Sequence, residues 1–385
     1  MFVGAGGNNV PPSSRQLQHR LYKNDGKGNF TIDTNAFPLS EDNTSIVVAN
    51  DFDGDGDLDL FVGARSVPGI YGLTPKSHIY INDGKGHFKD MDASKLSGID
   101  TVGMVTGAIW ADVNNDKQKE LVVVGDWMYP HMYSFNKDHF EEIKTNLNNL
   151  FGWWRSVAVA DVNNDGKEDL ILGNIGENFY LRPDKQNPVK IFINDFDENG
   201  TIDKIMTNTV DGKDIPVFLK HDLEQQMPSI KKQALKHEEY AKKSVEELLS
   251  PESLVKSVKK EFNYPASCVA INNGNENFTI KELPAQIQFS CVNAIDCIDI
   301  NNDGFTDIVT AGNEFNFIPQ LQRLDASFGD MLINDGKGNF TPMKSSQSAI
   351  MVEGEVKDIK EIKVKDKKRL LFLRNDDYPV MYEIK

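Results

Sequence analysis

Asp51-Phe52-Asp53-Gly54-Asp55-Gly56-Asp57-Leu58-Asp59 sets carboxylates at positions 1, 3, 5, 7 and 9 of a nine-residue run, with glycine at position 6. Two unit charges about 4 Å apart repel by about 4 kcal/mol at an effective dielectric of 20, so five such groups strain any fold that gathers them. A hard divalent cation removes that strain. Calcium takes six to eight oxygens, and closely spaced Asp residues round a tight glycine turn supply them.

The device recurs. Asp112-Val113-Asn114-Asn115-Asp116-Lys117-Gln118-Lys119-Glu120, Asp161-Val162-Asn163-Asn164-Asp165-Gly166-Lys167-Glu168-Asp169, Asp195-Phe196-Asp197-Glu198-Asn199-Gly200-Thr201-Ile202-Asp203 and Asp299-Ile300-Asn301-Asn302-Asp303-Gly304-Phe305-Thr306-Asp307 keep the spacing. The five loops hold 19 carboxylates, and Lys117, Lys119 and Lys167 offset three of them. They therefore account for the whole net charge of −16 of the 385-residue chain. Acidity concentrated in this way argues against a nucleic-acid partner, which demands a basic surface.

What flanks the loops sets the fold. Ser45-Ile46-Val47-Val48-Ala49-Asn50 enters the first loop and Leu58-Asp59-Leu60-Phe61-Val62-Gly63 leaves it, and the same strand–loop–strand pattern surrounds the loops at 112, 161 and 299. A second unit, Asn24-Asp25-Gly26-Lys27-Gly28-Asn29-Phe30, returns at Asn82 and Asn334, and more loosely at Asn272. Asp-Gly between apolar residues is a strong hairpin signal. One repeat thus reads strand A, acidic loop, strand B, connector, strand C, Asn-Asp-Gly turn, strand D. Four antiparallel strands per ~50 residues is the pattern of a propeller blade. The expected architecture is one all-β β-propeller over residues 1–385, with about seven four-stranded blades, six being the other count. Calcium loops join strands A and B. The loop at 195 differs, standing where an Asn-Asp-Gly turn would fall.

Three segments depart from the repeat. Residues 1–34 read as a partial first blade whose strand A and acidic loop are missing, and residues 355–385 as a last blade without a metal loop; the chain reads as part of a longer polypeptide. Residues 220–262 carry Ile230, Ala234, Leu235, Val245, Leu248, Leu249, Leu254, Val255 and Val258 at helical spacing, and Ser250 before Pro251 suits a helix start. They are expected to form a helical insertion.

An EF-hand needs a bidentate Glu at position 12 and a following helix. Position 12 of the first loop is Val62 and that of the last is Thr310, both in β-like runs. The closing ligand is then position 9. Expected metal ligands are Asp51, Asp53, Asp55 and Asp59 with Asp57 at position 7; Asp161, Asn163, Asp165 and Asp169; Asp195, Asp197, Asn199 and Asp203; and Asp299, Asn301, Asp303 and Asp307. Glycine at position 6 permits a left-handed turn. The second loop has Lys117 there, at a cost of ~1 kcal/mol, so Asp112, Asn114, Asp116 and Glu120 are expected to bind weakly or not at all. About four calcium ions are expected, a fifth only at that weak loop.

These repeats resemble the FG-GAP and VCBS repeats of the integrin α-chain propeller and of bacterial cell-surface propellers. The Asn-Asp-Gly-Lys-Gly-Asn-Phe hairpins and Arg323-Leu324-Asp325-Ala326-Ser327-Phe328-Gly329 are similar to large Bacteroidota envelope proteins linked to ASPIC/UnbV modules. The resemblance implies calcium at the Asp positions above and an extracellular, cell-surface or outer-membrane-associated setting.

In a meander, A–B loops and C–D turns share one face of the disc, and the B–C connectors lie on the other. Arg65, Tyr71, Trp127, Tyr129, Tyr180, Phe315 and Arg323 fall on that second face. Aromatic residues and Arg dominate binding hot spots, so a protein or glycan ligand is expected there. Trp153 and Trp154 equally suit packing between blades. Catalytic signatures are missing: the 7 His are scattered, with no metal-binding pair and no nucleophile elbow. The expected function is a non-enzymatic adhesion or ligand-binding module. The alternative is the substrate-binding or catalytic propeller of a polysaccharide-degrading enzyme. The 3 Cys are too few for a disulfide framework. No run of 18 apolar residues suggests a membrane span, and Met1-Phe2-Val3-Gly4-Ala5-Gly6-Gly7 lacks the basic and apolar segments of a signal peptide.

Overall fold

The structure is a computed structural model that describes every residue except 12–13, 234–235, 318–320, 366 and 385. In chain order, β1 (Phe2–Val3), β2 (Arg20–Asn24) and β3 (Phe30–Asp33) form a three-stranded first sheet. A second sheet holds β4 (Asn43–Asn50), β5 (Asp59–Ser66), β6 (His78–Asn82) and β7 (Phe88–Asp90). A third holds β8 (Met104–Ala111), β9 (Glu120–Met128), β10 (His131–Asn136) and β11 (His139–Ile143), with the short β12 (Gly152–Trp153) also pairing β9. The fourth begins with β13 (Ser156–Ala160) and β14 (Asp169–Gly173) and then breaks off.

The chain next builds a separate sheet from β15 (Val189–Asn194), β16 (Asp203–Val210) and β17 (Lys213–Pro216). Short helices follow: α1 (Lys220–Gln226), α2 (Ile230–Gln233), α3 (His237–Tyr240), α4 (Val245–Leu248) and α5 (Pro251–Lys256). β18 (Val258–Phe262) then pairs β15 from the other side. Only after this does β19 (Cys268–Asn272) pair β14, and β20 (Phe278–Glu282) completes the fourth sheet. β21 (Val292–Ile298), β22 (Asp307–Gly312), β23 (Asp330–Asn334) and β24 (Phe340–Pro342) form the fifth, and β25 (Val356–Val364), β26 (Lys367–Arg374) and β27 (Val380–Glu383) the sixth. All ladders are antiparallel. Among the described residues the fold is all-β and propeller-like: six sheets in succession and a seventh inserted within the fourth. Among the described residues no ladder joins the first sheet to the sixth.

The insertion is therefore larger than its helical stretch. Helix ends at Lys256, and residues 258–262, expected as helix, form a strand that pairs antiparallel with β15. Ser250 caps α5 through the Ser253 amide at 3.1 Å, with Pro251 in the first turn. Ile230, Val245 and Leu248 are buried with Phe192 and Ile205 under the inserted sheet, whereas Val255 is 86% exposed. Ala234 and Leu235 lie outside the described residues.

Each strand B runs between two neighbours. β9 and β14 are buried at every position and β5 at all but one, which is why each is built on an apolar stretch, residues 121–124, 170–172 and 60–62. Apolar clusters fill each gap between successive sheets; Phe61, Val105, Trp110 and Phe140 occupy that between the second and third. Polar latches reinforce the contacts. Ser45 donates to the Val105 carbonyl at 2.6 Å and Ser156 to Val292 at 2.8 Å, each reaching the next sheet, and Thr106 donates to Trp154, in the link leading to β13, at 2.7 Å. The glycine that ends strand B has the same cause. A Cβ on Gly173 would sit 2.3 Å from the Val292 carbonyl oxygen, so the next sheet approaches only bare backbone.

Candidate metal centre

The five acidic loops share one local design. Each joins a hairpin whose register sets position 9 opposite the residue before position 1: Asn50 with Asp59, Ala111 with Glu120, Ala160 with Asp169, Asn194 with Asp203, and Ile298 with Asp307. The loop at 195 thus closes the β15–β16 hairpin of the inserted sheet; it does not replace a C–D turn. The position-1 carboxylate accepts amides from across the loop. Asp161 takes Asp165 at 3.2 Å and Gly166 at 2.8 Å, and Asp299 takes Asp303 at 3.2 Å and Gly304 at 3.0 Å. Position 6 is left-handed throughout, including Lys117 at φ 75°. Position 4 is left-handed too, held by Gly54, Asn115, Asn164, Glu198 and Asn302. Sequence reasoning overlooked that second turn. Asn at position 4 of three loops was its signal, because Asn tolerates the left-handed region better than most residues.

The position-9 carboxylate is buried in every loop, at most 1% exposed. It is more than a prospective ligand. Asp169 accepts the Val162 amide at 2.9 Å and the Asn272 amide at 2.7 Å; Asp307 accepts Ile300 at 2.9 Å and Asn334 at 2.8 Å. It ties its own loop to the Asn of the neighbouring C–D turn. That Asn reaches further: Asn272 Nδ2 donates to the Val113 carbonyl at 2.7 Å and Asn334 Nδ2 to Val162 at 2.8 Å, in the loop of the preceding sheet. The two recurring motifs of the sequence are one connected rim.

Asp59 breaks the pattern. Its Oδ1 accepts the Asn82 amide at 2.9 Å, but its Oδ2 is buried with no partner, as is Asp57 Oδ1. Asp51, Asp53 and Asp55 place carboxylate oxygens within 4.8 Å of one another in the same loop. Asp195, Asp197 and Asp203 do likewise, and Asp197 Oδ1 is again buried and unpaired. Burial, reinforced by the charges of Asp53, Asp55 and Asp57, pushes Asp59 up to about 7, although the Asn82 amide opposes this. Burial and then Asp197 and Asp195 push Asp203 up to about 6, against the Phe196 amide. These all-oxygen sets with stranded buried lone pairs fit a hard divalent cation.

The other loops satisfy themselves more fully. Asn301 Nδ2 bonds Asp303 at 2.8 Å, and Lys167 Nζ bonds Asp165 at 2.8 Å. In the second loop, Glu120 spends one oxygen on the Val113 amide at 3.0 Å and the other on Asn114 at 2.9 Å, while Asn114 also bonds Asp116 at 3.0 Å.

The connector face is less open than the sequence suggests. The inserted sheet covers part of it. Trp127, Trp153 and Phe179 are buried against Val189, Ile191 and Phe262, and Tyr71 accepts the Trp127 indole N–H at 2.9 Å. Trp127, expected at the surface, is a core residue only 4% exposed. No sequence pattern reveals that a later segment will fold over it. Arg65 pairs with buried Asp126 at 3.3 Å, and Arg155 approaches the same carboxylate at 3.6 Å. Tyr129 is half-buried. Tyr180 is 56% exposed, and Arg323 lies 3.8 Å over the Phe315 ring. The structure thus splits the expected ligand set into a buried Trp127 with a partly buried Tyr71 bonded to it, an ion-paired Arg65 and an accessible group. Cys268, Cys291 and Cys297 are free thiols. Among the described residues no helix is long and apolar enough to cross a membrane.

Comparison with known proteins places two repeat models on the chain. The FG-GAP-like repeat matches residues 6–62 and 112–172, and the FG-GAP repeat matches residues 153–192. No curated protein matches. Among solved structures, the chain is similar to BBS1N in its complex with ARL6DN at 9% identity, covering 100% of this chain and 95% of that one with a TM-score of 0.33. It is also similar to the exotype rhamnogalacturonan lyase YesX at 10% identity, covering 99% of this chain and 60% of that one with a TM-score of 0.36. A third is the V. cholerae biofilm matrix protein Bap1, at 10% identity, covering 91% and 76% with a TM-score of 0.25.

Proposed function

We propose that this chain of FG-GAP repeats is a calcium-stabilised, non-enzymatic binding module that works outside the cell or on its surface. The observation that carries the reading is the buried, unpartnered Oδ2 of Asp59 in the loop whose Asp51, Asp53 and Asp55 carboxylate oxygens gather within 4.8 Å of one another. A lone pair buried without a partner costs about 1–3 kcal/mol, more for a charged group. A cation repays that cost and quenches the repulsion. The best sites are those of Asp51, Asp53, Asp55, Asp57 and Asp59, and of Asp195, Asp197, Asn199 and Asp203. When bound, calcium supplies charge neutralisation and closes the hairpin; the chain's own amides hold the rest of the loop. Extracellular calcium is millimolar, which suits loops of modest affinity.

The ligand, a protein or a glycan, is taken on the connector face, away from the acidic rim. Accessible Tyr180 and the stacked Phe315–Arg323 pair support this, since rigid aromatics and Arg carry most binding energy at interfaces. The test is calcium titration by calorimetry, followed by array screening of the calcium-loaded protein. Saturable calcium binding is expected, as is array binding that Tyr180→Ala or Arg323→Ala weakens at least tenfold with an unchanged melting temperature. No calcium binding up to about 10 mM, or array binding indifferent to both substitutions, would overturn the reading.

A further inference from the structure

Where β18 crosses the end of β9, a cavity of about 400 Å³ opens between the inserted sheet and the third sheet. Its walls come from segments far apart in sequence: Thr74 from the second sheet's connector, Trp127 and Tyr129 after β9, Phe151, and Lys259 and Lys260 of β18. The volume falls in the range of small-molecule sites. One wall is aromatic, with the Tyr129 and Phe151 rings meeting edge to face at 5.4 Å. The backbone beside it is strained: Trp127 has φ 62°, a left-handed conformation costly for a bulky side chain, held by the bond from its indole to Tyr71.

The opposite wall, from β18, carries two lysines and one carboxylate, Lys259, Lys260 and Glu261, in an otherwise acidic chain. Lys260 Nζ donates to the Thr74 hydroxyl at 3.0 Å, and Lys259 lies 5.4 Å over the Phe192 ring. Among the described residues neither forms an ion pair with a carboxylate. Glu261 is the carboxylate of the lining itself, and Glu142, behind Tyr129 and His131, is already engaged by Tyr129 at 3.0 Å, His131 at 2.8 Å and Lys144. Burial lowers the Lys260 pKa to about 8, partly opposed by the charge of Asp126. A half-buried ammonium with one neutral acceptor is under-satisfied, and an anion delivered with a ligand would complete it.

We propose that this cavity binds a ring-sized organic carboxylate, with the carboxylate on Lys260 and the ring against Phe151 and Tyr129. The proposal deepens the connector-face reading above and rests on it. Two sources share this chemistry, a hexuronic acid residue of a glycan and a hydroxybenzoate-like aromatic acid.

The test is calorimetry on the full calcium-loaded chain with galacturonate, 4-hydroxybenzoate and their uncharged counterparts, galactose and 4-hydroxybenzyl alcohol. One of the two acids is expected to bind, and its neutral counterpart to bind at least tenfold more weakly. Lys260→Gln should lose at least tenfold and Lys260→Arg should retain most of the affinity. Because Lys260 is half-buried, Thr74→Val serves as a second variant on an exposed connector, with a few-fold loss expected. Equal binding of acid and neutral partner, no binding of either acid, or indifference to both Lys260→Gln and Thr74→Val would overturn the proposal. An array ligand bound alike by wild type and Lys260→Gln overturns the cavity while sparing the module reading. No array ligand at all overturns both.

Discussion

The first and second acidic loops occupy equivalent places in adjacent sheets, yet they solve the same electrostatic problem differently. The loop closed by Asp59 has five carboxylates, two left-handed glycines, and buried oxygens on Asp57 and Asp59 that no described residue satisfies. The loop closed by Glu120 has three carboxylates, and Asn114 sits among them as a donor. The loops also lean on each other unequally: Glu168 of the third loop caps the Asp112 amide at 2.7 Å. A longer closing side chain, an amide at position 3 and a neighbour's carboxylate give the second loop hydrogen bonds where the first has stranded oxygens. One motif thus spans a range, from a loop with buried oxygens left unsatisfied, where the proposed cation would sit, to a loop whose carboxylates are met by hydrogen bonds.

The largest expected effect comes from removing the closing residue of each loop. Asp59→Ala should cost about 3 kcal/mol in calcium and much less in chelator, because the ion is already gone. Glu120→Ala should cost about 2 kcal/mol in both. Urea denaturation of the two variants in the two buffers checks this, and equal calcium dependence would erase the distinction between the loops.

Next is the pH dependence of the metal-free protein. Burial raises both Asp59 and Glu120 to about 7, so each holds its proton more tightly folded than unfolded. The stability this confers is present at low pH and lost as pH rises through 7. Without calcium, stability should fall between pH 5 and pH 8 by about 2 kcal/mol per group. Calcium should flatten the share due to Asp59 and leave that due to Glu120. Melting temperatures across this range, with and without calcium, provide the check.

The smallest effect concerns position 6. Lys117 is forced to φ 75°, so Lys117→Gly should stabilise by about 1 kcal/mol, and Gly166→Lys should destabilise the matching place in the third loop by a similar amount. Chemical denaturation midpoints measure both.

Much of this was legible in the sequence because it is local. The apolar runs of β5, β9, β14 and β22, the Asp-Gly turns and the left-handed Lys117 follow from periodicity and backbone sterics. What was not legible is tertiary. Nothing near Trp127 announces that β18, more than a hundred residues later, will bury it. The inserted sheet was missed because helices separate β17 from β18 and because the acidic loop at 195 resembles the others. The position-9 carboxylates read as ligands, and their bonds to Asn82, Asn272 and Asn334 became apparent only once the C–D turns were seen beside the A–B loops. The cationic wall at Lys260 likewise exists only where two sheets meet.

The most direct test is calorimetric unfolding of the wild-type chain in about 2 mM calcium and in chelator, with Asp59→Ala alongside. Two occupied sites at about tenfold over their dissociation constants add about 3 kcal/mol, which should move the wild-type melting temperature by about 4 °C and that of the variant by clearly less. An identical wild-type melting temperature in both buffers would contradict the account, because the acidic rim would then be held by its own hydrogen bonds alone.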